Sequence, residues 1–118
     1  MNRVCLIGRT TADIEVKQTN SGKAVCTFNL AVRRGKEDTD FIDCVAWETA
    51  AQLLSRYVSK GEKVGITGRL QVRQWEKDGK KYKAVEVIVD DIDLIAEKKE
   101  QKAEEQYTPL SNDQELPF

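Results

Sequence analysis

The sequence contains no histidine, only two prolines and few aromatic side chains, which make up 7% of its 118 residues. Without histidine, the chain lacks the commonest general base and the commonest metal ligand in proteins. It also has no glycine-rich phosphate loop, no nucleophilic triad and no zinc-ligand spacing. These absences argue against most enzyme classes and favour a binding function without catalysis or a cofactor.

Cysteine is scarce as well, with only Cys5, Cys26 and Cys44. They form no CxxC pair, and three cysteines cannot all pair within one chain. Each lies in an apolar run, so we expect three buried free thiols, as suits a reducing cytoplasm. The sequence shows no signal-peptide pattern and no apolar run near the roughly 20 residues of a membrane span.

The charge is unevenly distributed along the chain. Residues 1–96 carry 16 Lys/Arg and 14 Asp/Glu, a net of +2, whereas residues 97–118 carry 3 and 6, a net of −3. Residues 56–83 alone hold 9 basic and 3 acidic residues, a net of +6. A basic segment on a near-neutral domain indicates either a polyanionic partner or a solvated charged face.

Hydrophobic periodicity predicts five strands and one helix within residues 1–96. The predicted strands cover residues 3–8, 26–32, 40–48, 63–75 and a final segment to about residue 95. Residues 33–38 read as a charged loop, and residues 77–80 as a hairpin turn. Apolar side chains at helical spacing follow the third strand, with a Thr49–Gln52 capping box and Gly61 as the stop signal.

Three strands, a helix and two strands are the plan of an all-β, five-stranded OB-fold barrel. Gly65 and Gly68 lie inside the fourth strand and predict bends or bulges, as a tightly curled sheet needs. On that strand Leu70 and Val72 share the predicted core side with Val64 and Ile66.

The aromatic side chains alternate with cations on the other side of these strands. Phe41 and Trp47 lie on one face of the third strand, about 20 Å apart at about 3.3 Å per residue. Trp75 shares the corresponding face of the fourth strand with Lys63, Arg69 and Arg73. Rings spaced among cations favour binding of unpaired nucleic acid through stacking and phosphate contacts. A second hydrophobic surface, such as a subunit interface, is the alternative.

Beyond the predicted barrel, residues 97–112 read as a flexible linker rich in Glu, Lys and Gln. The chain then ends in an acidic tip, residues 113–118, with Asp113 and Glu115 preceding Leu116, Pro117 and Phe118. A terminal ring and carboxylate suit a shallow apolar pocket with a basic rim. Asp90, Asp91 and Asp93 could hold a cation, but a solvated strand segment explains them better.

In order along the chain, several segments resemble the bacterial single-stranded DNA-binding (SSB) family. They are Asn2-Arg3-Val4 with Leu6-Ile7-Gly8, then residues 22–30, 40–47, 57–61, 64–70 and 73–75, and finally Leu116-Pro117-Phe118. The resemblance implies an OB-fold homotetramer that binds and protects single-stranded DNA without sequence preference. It also implies roles in replication, recombination and repair in the cytoplasm, associated with the nucleoid, and docking of partner proteins on the tip.

The resemblance assigns base stacking to Phe41, Trp47 and Trp75. It assigns contacts with the DNA backbone to Arg3, Lys60 and Arg73. With the pattern of the basic face, the predicted phosphate contacts are Arg3, Arg33, Arg34, Lys60, Lys63, Arg69 and Arg73. Arg33 and Arg34 occupy a region where family members often carry another aromatic, so guanidinium groups replace a ring there. Gln114 stands where the family usually has a carboxylate.

The residues alone leave two other functions possible. One is an OB-fold protein-interaction subunit that binds DNA weakly; the aromatic trio argues against it. The other is a small OB-fold nuclease, against which the lack of histidine and of a convincing metal cluster argues.

Overall fold

The computed structural model describes residues 1–95. A single sheet contains six strands in the order β1-β5-β6-β4-β3-β2, and an additional β1–β3 pairing closes it into a barrel. The elements are β1 (Val4–Thr10), β2 (Lys17–Gln18), β3 (Ala24–Arg34), β4 (Asp38–Trp47), α1 (Glu48–Tyr57), β5 (Lys63–Lys77) and β6 (Lys80–Leu94). This is the predicted OB-fold, with one helix between the third and fourth long strands.

Alternation of inward and outward side chains on β3 and β4 builds much of the core. Cys26 and Leu30 are buried on β3, and Cys44 and Ala46 are buried on β4, where the intervening residues face mostly outward. The two strands pair antiparallel from Val25↔Trp47 to Arg34↔Asp38. The sequence prediction for these faces is confirmed, because alternation fixes which side of a strand the core occupies.

The helix α1 packs against β3, β4 and β6 through a narrow apolar stripe. Ala51 and Leu54 are fully buried in the core cluster with Val58, whereas Leu53 and Tyr57 are exposed. Burying a leucine side chain contributes about 1.5–3 kcal/mol, so Leu54 is the main anchor of the helix. No helix among residues 1–95 has the length and apolarity that crossing a bilayer requires.

The predicted capping box of α1 is wrong. The helix begins at Glu48, and its N-cap residue, Trp47, makes no side-chain capping bond. The carboxylate of Glu48 instead accepts a hydrogen bond of 2.8 Å from the backbone N–H of Ala24. The helix also ends at Tyr57, well before Gly61. A tertiary hydrogen bond therefore replaces the local motif that the spacing suggested.

The β3–β4 hairpin is longer than the sequence predicted. Residues 33–38 were expected to form a loop, but β3 runs through Arg34 and β4 begins at Asp38. An ion pair of 3.0 Å between Arg34 Nε and Asp40 Oδ1 stabilises these strand ends. The two-residue β2, which pairs with β3, was also not predicted, since two residues are too short for a periodic pattern.

A tight turn joins β5 to β6, as predicted. Asp78 and Gly79 have φ values of 54° and 75°. Two consecutive positive φ values define a type I′ turn, whose twist matches that of an antiparallel hairpin. The outer part of this hairpin differs from the prediction, because Leu70 and Val72 are about half exposed. The strands extend past the barrel there, and none of the core formed by residues 1–95 lies beneath them.

The predicted irregularity on β5 is a β-bulge opposite Gly68. Thr67 pairs with Asp91 but Gly68 pairs with Val89, which leaves Asp90 as the extra residue on β6. A Cβ atom at Gly68 would clash with the backbone carbonyl oxygen of Ile88. The absence of a side chain at Gly68 therefore permits the close approach of β5 to β6 where the sheet bends.

Replacing Gly68 with alanine is expected to lower the free energy of unfolding by about 1–3 kcal/mol, because β5 must move away from Ile88. Gly65→Ala is the matched control on the same strand, since its Cβ would lie 3.4 Å from the Cβ of Asp93. Urea unfolding of both variants measures the difference. Equal stability of the two variants would contradict the close approach at Gly68.

Candidate nucleic-acid interface

Three aromatic side chains identified from the sequence are exposed, two on the outer face of β4 and one on the outer part of the β5–β6 hairpin. Phe41 is 64% exposed, Trp47 41% and Trp75 40%. Phe41 and Trp47 project from β4, opposite the buried side that holds Cys44 and Ala46. The barrel therefore presents these rings to solvent and does not use them in the core of the protomer.

Not all of this outer face is open. Val45, which lies between Phe41 and Trp47 on the same side of β4, is only 8% exposed. It pairs in parallel register with Ile88 of β6, which is also buried. The aromatic side of β4 thus combines exposed rings with a covered aliphatic position.

Trp75 belongs to a cluster that includes a residue the sequence analysis missed. Its ring stacks on Tyr82 with the centroids 5.7 Å apart and an angle of 16° between the planes. The guanidinium carbon of Arg73 lies 4.6 Å from the centroid of the Trp75 ring. These contacts hold the indole ring in one orientation, since stacking and cation–π contacts are each directional.

The hairpin register could have revealed Tyr82. In a two-residue turn at Asp78-Gly79, counting outward from the Lys77↔Lys80 pair places Tyr82 directly opposite Trp75. Together the two rings line a shallow cavity of about 480 Å³ at the end of the hairpin. Lysines 81 and 83 also line it, and neither was among the predicted phosphate contacts.

Three of the predicted cations are already paired with carboxylates within the protomer. Besides Arg34, whose partner is Asp40, Arg69 lies 3.5 Å from Asp90 and Arg73 lies 3.3 Å from Glu86. All three arginines are about half exposed or more, so the attraction within each pair is screened by water. A phosphate that binds these guanidinium groups must compete with a fixed carboxylate.

The other predicted cations are spread over several elements. Arg3 is exposed just before β1, and the preceding residue, Asn2, exchanges two hydrogen bonds of 2.9 Å with the backbone of Leu70. Arg33 donates a hydrogen bond of 3.1 Å to the carbonyl of Lys36. The backbone N–H of Lys60 donates to Asp13 Oδ1 at 2.8 Å, and Lys63 is partly buried at the start of β5.

The prediction of three buried cysteines is wrong for Cys5, which is exposed on β1. Alternation places it on the outer side of the strand, a point that its apolar neighbours concealed. Burial raises the pKa of the Cys44 thiol to about 12, with smaller contributions from Asp43 and Cys26. Burial also raises the pKa of Cys26. Both core thiols remain protonated at neutral pH, so they act as small apolar side chains.

The acidic residues at the end of β6 do not form a cation site in the described part of the chain. Asp90 pairs with Arg69, and Asp91 accepts a hydrogen bond from the backbone N–H of Ile92. Within residues 1–95, no group of three or more acidic or cysteine side chains lies close enough to hold a metal ion. The predicted linker, residues 97–112, and tip, residues 113–118, lie outside the described residues.

A closed five-strand barrel with a short additional strand, and with rings and cations on its outer face, places the chain among OB-fold proteins. Comparison with known proteins narrows this class. Residues 1–95 match the model of the single-strand binding protein family. The chain belongs to this family.

The relatives that the chain resembles are bacterial. A single-stranded DNA-binding protein of Oceanobacillus iheyensis is 41% identical over 105 residues, which cover 83% of this chain and 65% of that protein. The protein of the same name from Bacillus cereus is 41% identical over 80% of this chain and 60% of its own length. Single-stranded DNA-binding protein 3 of Streptococcus agalactiae is 38% identical over 95% of this chain and 86% of its own length. The chain thus spans less than two thirds of the length of the first two relatives.

Proposed function

We propose that this chain binds single-stranded DNA without reading its sequence and without catalysing a reaction on it. The observation that carries the proposal is the exposure of Phe41, Trp47 and Trp75 on the outer face, among cations. Every nucleobase has a flat face, so exposed rings can stack on any unpaired base, and stacking contributes about 1–3 kcal/mol per base. Membership of the single-strand binding protein family supports the same function.

Competition between single and double strands tests this function. Fluorescence anisotropy of a labelled oligo(dT) should rise on addition of the protein, and unlabelled single strands should reverse the rise. A duplex of equal length should compete far less, because its bases are already stacked and cannot reach the rings. Equal competition by duplex and single strand would indicate binding to phosphates alone.

The main alternative is an OB-fold subunit that acts through protein contacts and binds DNA weakly. The feature that favours it is the aliphatic Val45 between Phe41 and Trp47 on the same side of β4. Under that alternative, the aromatic face forms a subunit interface and alanine substitutions there change assembly more than DNA affinity. The two functions therefore differ in which property responds to substitution of Trp47.

Ion pairing within the protomer leads to a prediction for Glu86. Glu86→Gln should raise the affinity for oligo(dT) at low salt by up to about fivefold, because Arg73 no longer has to leave a carboxylate to reach a phosphate. Glu15→Gln is the control, since it removes one negative charge from an exposed position outside the β5–β6 hairpin. Anisotropy titrations of both variants and the unchanged protein measure the effect. A fall in affinity for Glu86→Gln would mean that the ion pair positions Arg73 for binding.

Self-association into a homotetramer is part of the proposal. Apolar side chains of Leu70, Val72 and Val85 are about half exposed on the β5–β6 hairpin, and Val72 pairs directly with Val85. Neighbouring exposed aliphatic residues of this kind favour a protein contact. Light scattering at micromolar concentration tests the tetramer by its mass.

The wider role that we propose lies in replication, recombination and repair in the cytoplasm, associated with the nucleoid. In this role the tip, with Asp113, Glu115, Leu116, Pro117 and Phe118, recruits partner proteins while the barrel holds DNA. The absence of catalysis has its own test. Labelled single-stranded DNA incubated with the protein and magnesium should remain intact, and cleavage that persists through repurification would overturn that part of the proposal.

A further inference from the structure

The backbone changes direction sharply just after one of the proposed stacking residues. Trp47 is the last residue of β4, and its backbone is extended, with φ −118° and ψ 147°. The next residue, Glu48, begins α1 and has a φ of 53°. The chain therefore passes from strand to helix at Glu48 without an intervening loop, and this turn decides where the Trp47 ring stands.

The backbone conformation of Glu48 is unfavourable for its residue type. A positive φ brings the Cβ atom close to a backbone carbonyl oxygen, and among residues with a side chain mainly asparagine and aspartate tolerate it. Among residues 1–95, the other non-glycine residue with a positive φ is Asp78, where the tight β5–β6 turn requires it. A strained conformation of this kind persists only where surrounding contacts hold it.

A hydrogen bond to a neighbouring strand holds Glu48 in this conformation. The backbone N–H of Ala24 donates to the Glu48 carboxylate at 2.8 Å. Trp47 pairs with Val25 at the end of the β3–β4 ladder, and one step further along the same register Ala24 follows Val25 and Glu48 follows Trp47. The carboxylate therefore extends the ladder by one bond beyond Trp47. Because Ala24 is buried, its N–H would be costly to leave without an acceptor.

The two proposed stacking tryptophans are held in different ways. The side chains of Tyr82 and Arg73 orient the ring of Trp75. Trp47 is the terminal residue of its strand and is 41% exposed, so its backbone determines where the ring can stand. A base stacks well only on a ring whose face is presented at the right angle, and a ring fixed before binding loses less freedom on binding. An anchor for the Trp47 backbone therefore favours stacking.

We infer that Glu48 is a positioning residue for the Trp47 ring: its bond to Ala24 fixes the turn that places this ring for stacking. The inference rests on the proposed function, and it assigns a role to an acidic residue beside a surface that binds a polyanion. The negative charge of Glu48 by itself disfavours a nearby phosphate. Loss of the positioning bond and loss of the charge therefore change DNA affinity in opposite directions, which makes the two effects separable.

The test uses Trp75→Phe as the parent protein, so that Trp47 is the only tryptophan. Glu48→Gly in this parent removes the carboxylate and accepts the positive φ without strain. In the free protein, the fluorescence anisotropy of Trp47 should fall because the ring moves more. The affinity for oligo(dT) should fall by roughly three- to tenfold, the range expected for one lost hydrogen bond. The affinity for an abasic strand of the same length should not fall, because that strand has no base to stack.

Matched variants in the same parent serve as controls. Glu48→Gln removes the charge but keeps an oxygen that can accept the bond from Ala24, so it should retain the anisotropy and the oligo(dT) affinity. Asp13→Ala removes a carboxylate that accepts a bond of equal length, 2.8 Å, from the backbone N–H of Lys60, and it should leave the Trp47 anisotropy unchanged. Glu48→Asn keeps the test decisive if Glu48→Gly unfolds, because asparagine tolerates a positive φ and its side chain is shorter. Urea unfolding establishes that each variant is folded.

The outcomes separate the positioning role from the function. Unchanged anisotropy and oligo(dT) affinity in folded Glu48→Gly would overturn the role of Glu48 while leaving single-strand binding in place. In a Trp47→Ala background, Glu48→Gly should no longer lower the affinity. A fall that persists there, or an equal fall for the abasic strand, would mean that Glu48 acts on the barrel as a whole and would also overturn the inference. Failure of the unsubstituted protein to bind oligo(dT) would overturn the proposed function, whereas the anisotropy of the free protein would still decide whether Glu48 fixes the ring.

Discussion

Replacing Trp47 and Trp75 together with alanine is expected to weaken binding of oligo(dT) by roughly 30-fold to 10⁴-fold. Each stacked base contributes about 1–3 kcal/mol, and a change of 1.4 kcal/mol is a factor of ten in affinity. The two indoles lie on different strands, β4 and β5, which are not neighbours in the sheet, so their contributions should be nearly additive. Anisotropy titration at fixed salt measures the loss.

Tyr57→Ala is the matched control for this experiment. Tyr57 is 53% exposed, but it lies at the end of α1 and not on β4 or β5. Its substitution should change the affinity by less than about threefold, since surface changes away from a site usually cost within about 0.5 kcal/mol. A loss of similar size in Tyr57→Ala and the double variant would show that the rings on the outer face have no special role. Little loss in the double variant would favour the interaction-subunit alternative.

Deletion of residues 113–118 is expected to abolish capture of partner proteins and to leave the affinity for DNA unchanged or slightly higher. The deleted segment carries Asp113 and Glu115, and removal of these two negative charges should make phosphate binding to the basic barrel slightly more favourable. The Phe118 ring in this segment suits an apolar pocket on a partner, and the acidic side chains suit a basic rim around that pocket. Pull-down of replication and repair proteins from a bacterial lysate, beside an oligo(dT) titration, measures both effects.

Two smaller changes separate the contribution of Phe118 to partner capture from that of the acidic side chains. Removing Phe118 alone should abolish capture, because the pocket loses its apolar anchor. The double change Asp113→Asn and Glu115→Gln should weaken capture mainly at low salt, because it removes only long-range attraction. A marked fall in DNA affinity on deletion of the tip would contradict the proposed division between a DNA-binding barrel and a recruiting tip.

Local patterns predicted the central part of the fold. The alternation on β3 and β4 and the Asp78-Gly79 turn depend on neighbouring residues, so the sequence alone reveals them. The start of α1 could not be found in this way, since Glu48 bonds to Ala24, which is distant in sequence. The exposure of Leu70 and Val72 likewise depends on how far the hairpin extends beyond the barrel, which strand periodicity does not encode.

The candidate site was predictable to the extent that it follows strand faces. Phe41, Trp47 and Trp75 were assigned to the outer side from alternation and are exposed there. Tyr82 was missed because its proximity to Trp75 arises from the pairing of β5 with β6. The carboxylate partners of the arginines were missed for the same reason. Cross-strand register and the bulge at Asp90 determine which carboxylate lies beside which arginine.

Tryptophan fluorescence during titration with oligo(dT) tests the central proposal most directly, because Trp47 and Trp75 are the only tryptophans in the chain. If both rings stack on bases, the emission should be strongly quenched and saturate at a fixed number of nucleotides per subunit. High salt should weaken the quenching, since phosphate contacts release counterions. Emission that stays unchanged while oligo(dT) binds, or no binding at all, would contradict the proposal that these rings hold single-stranded DNA.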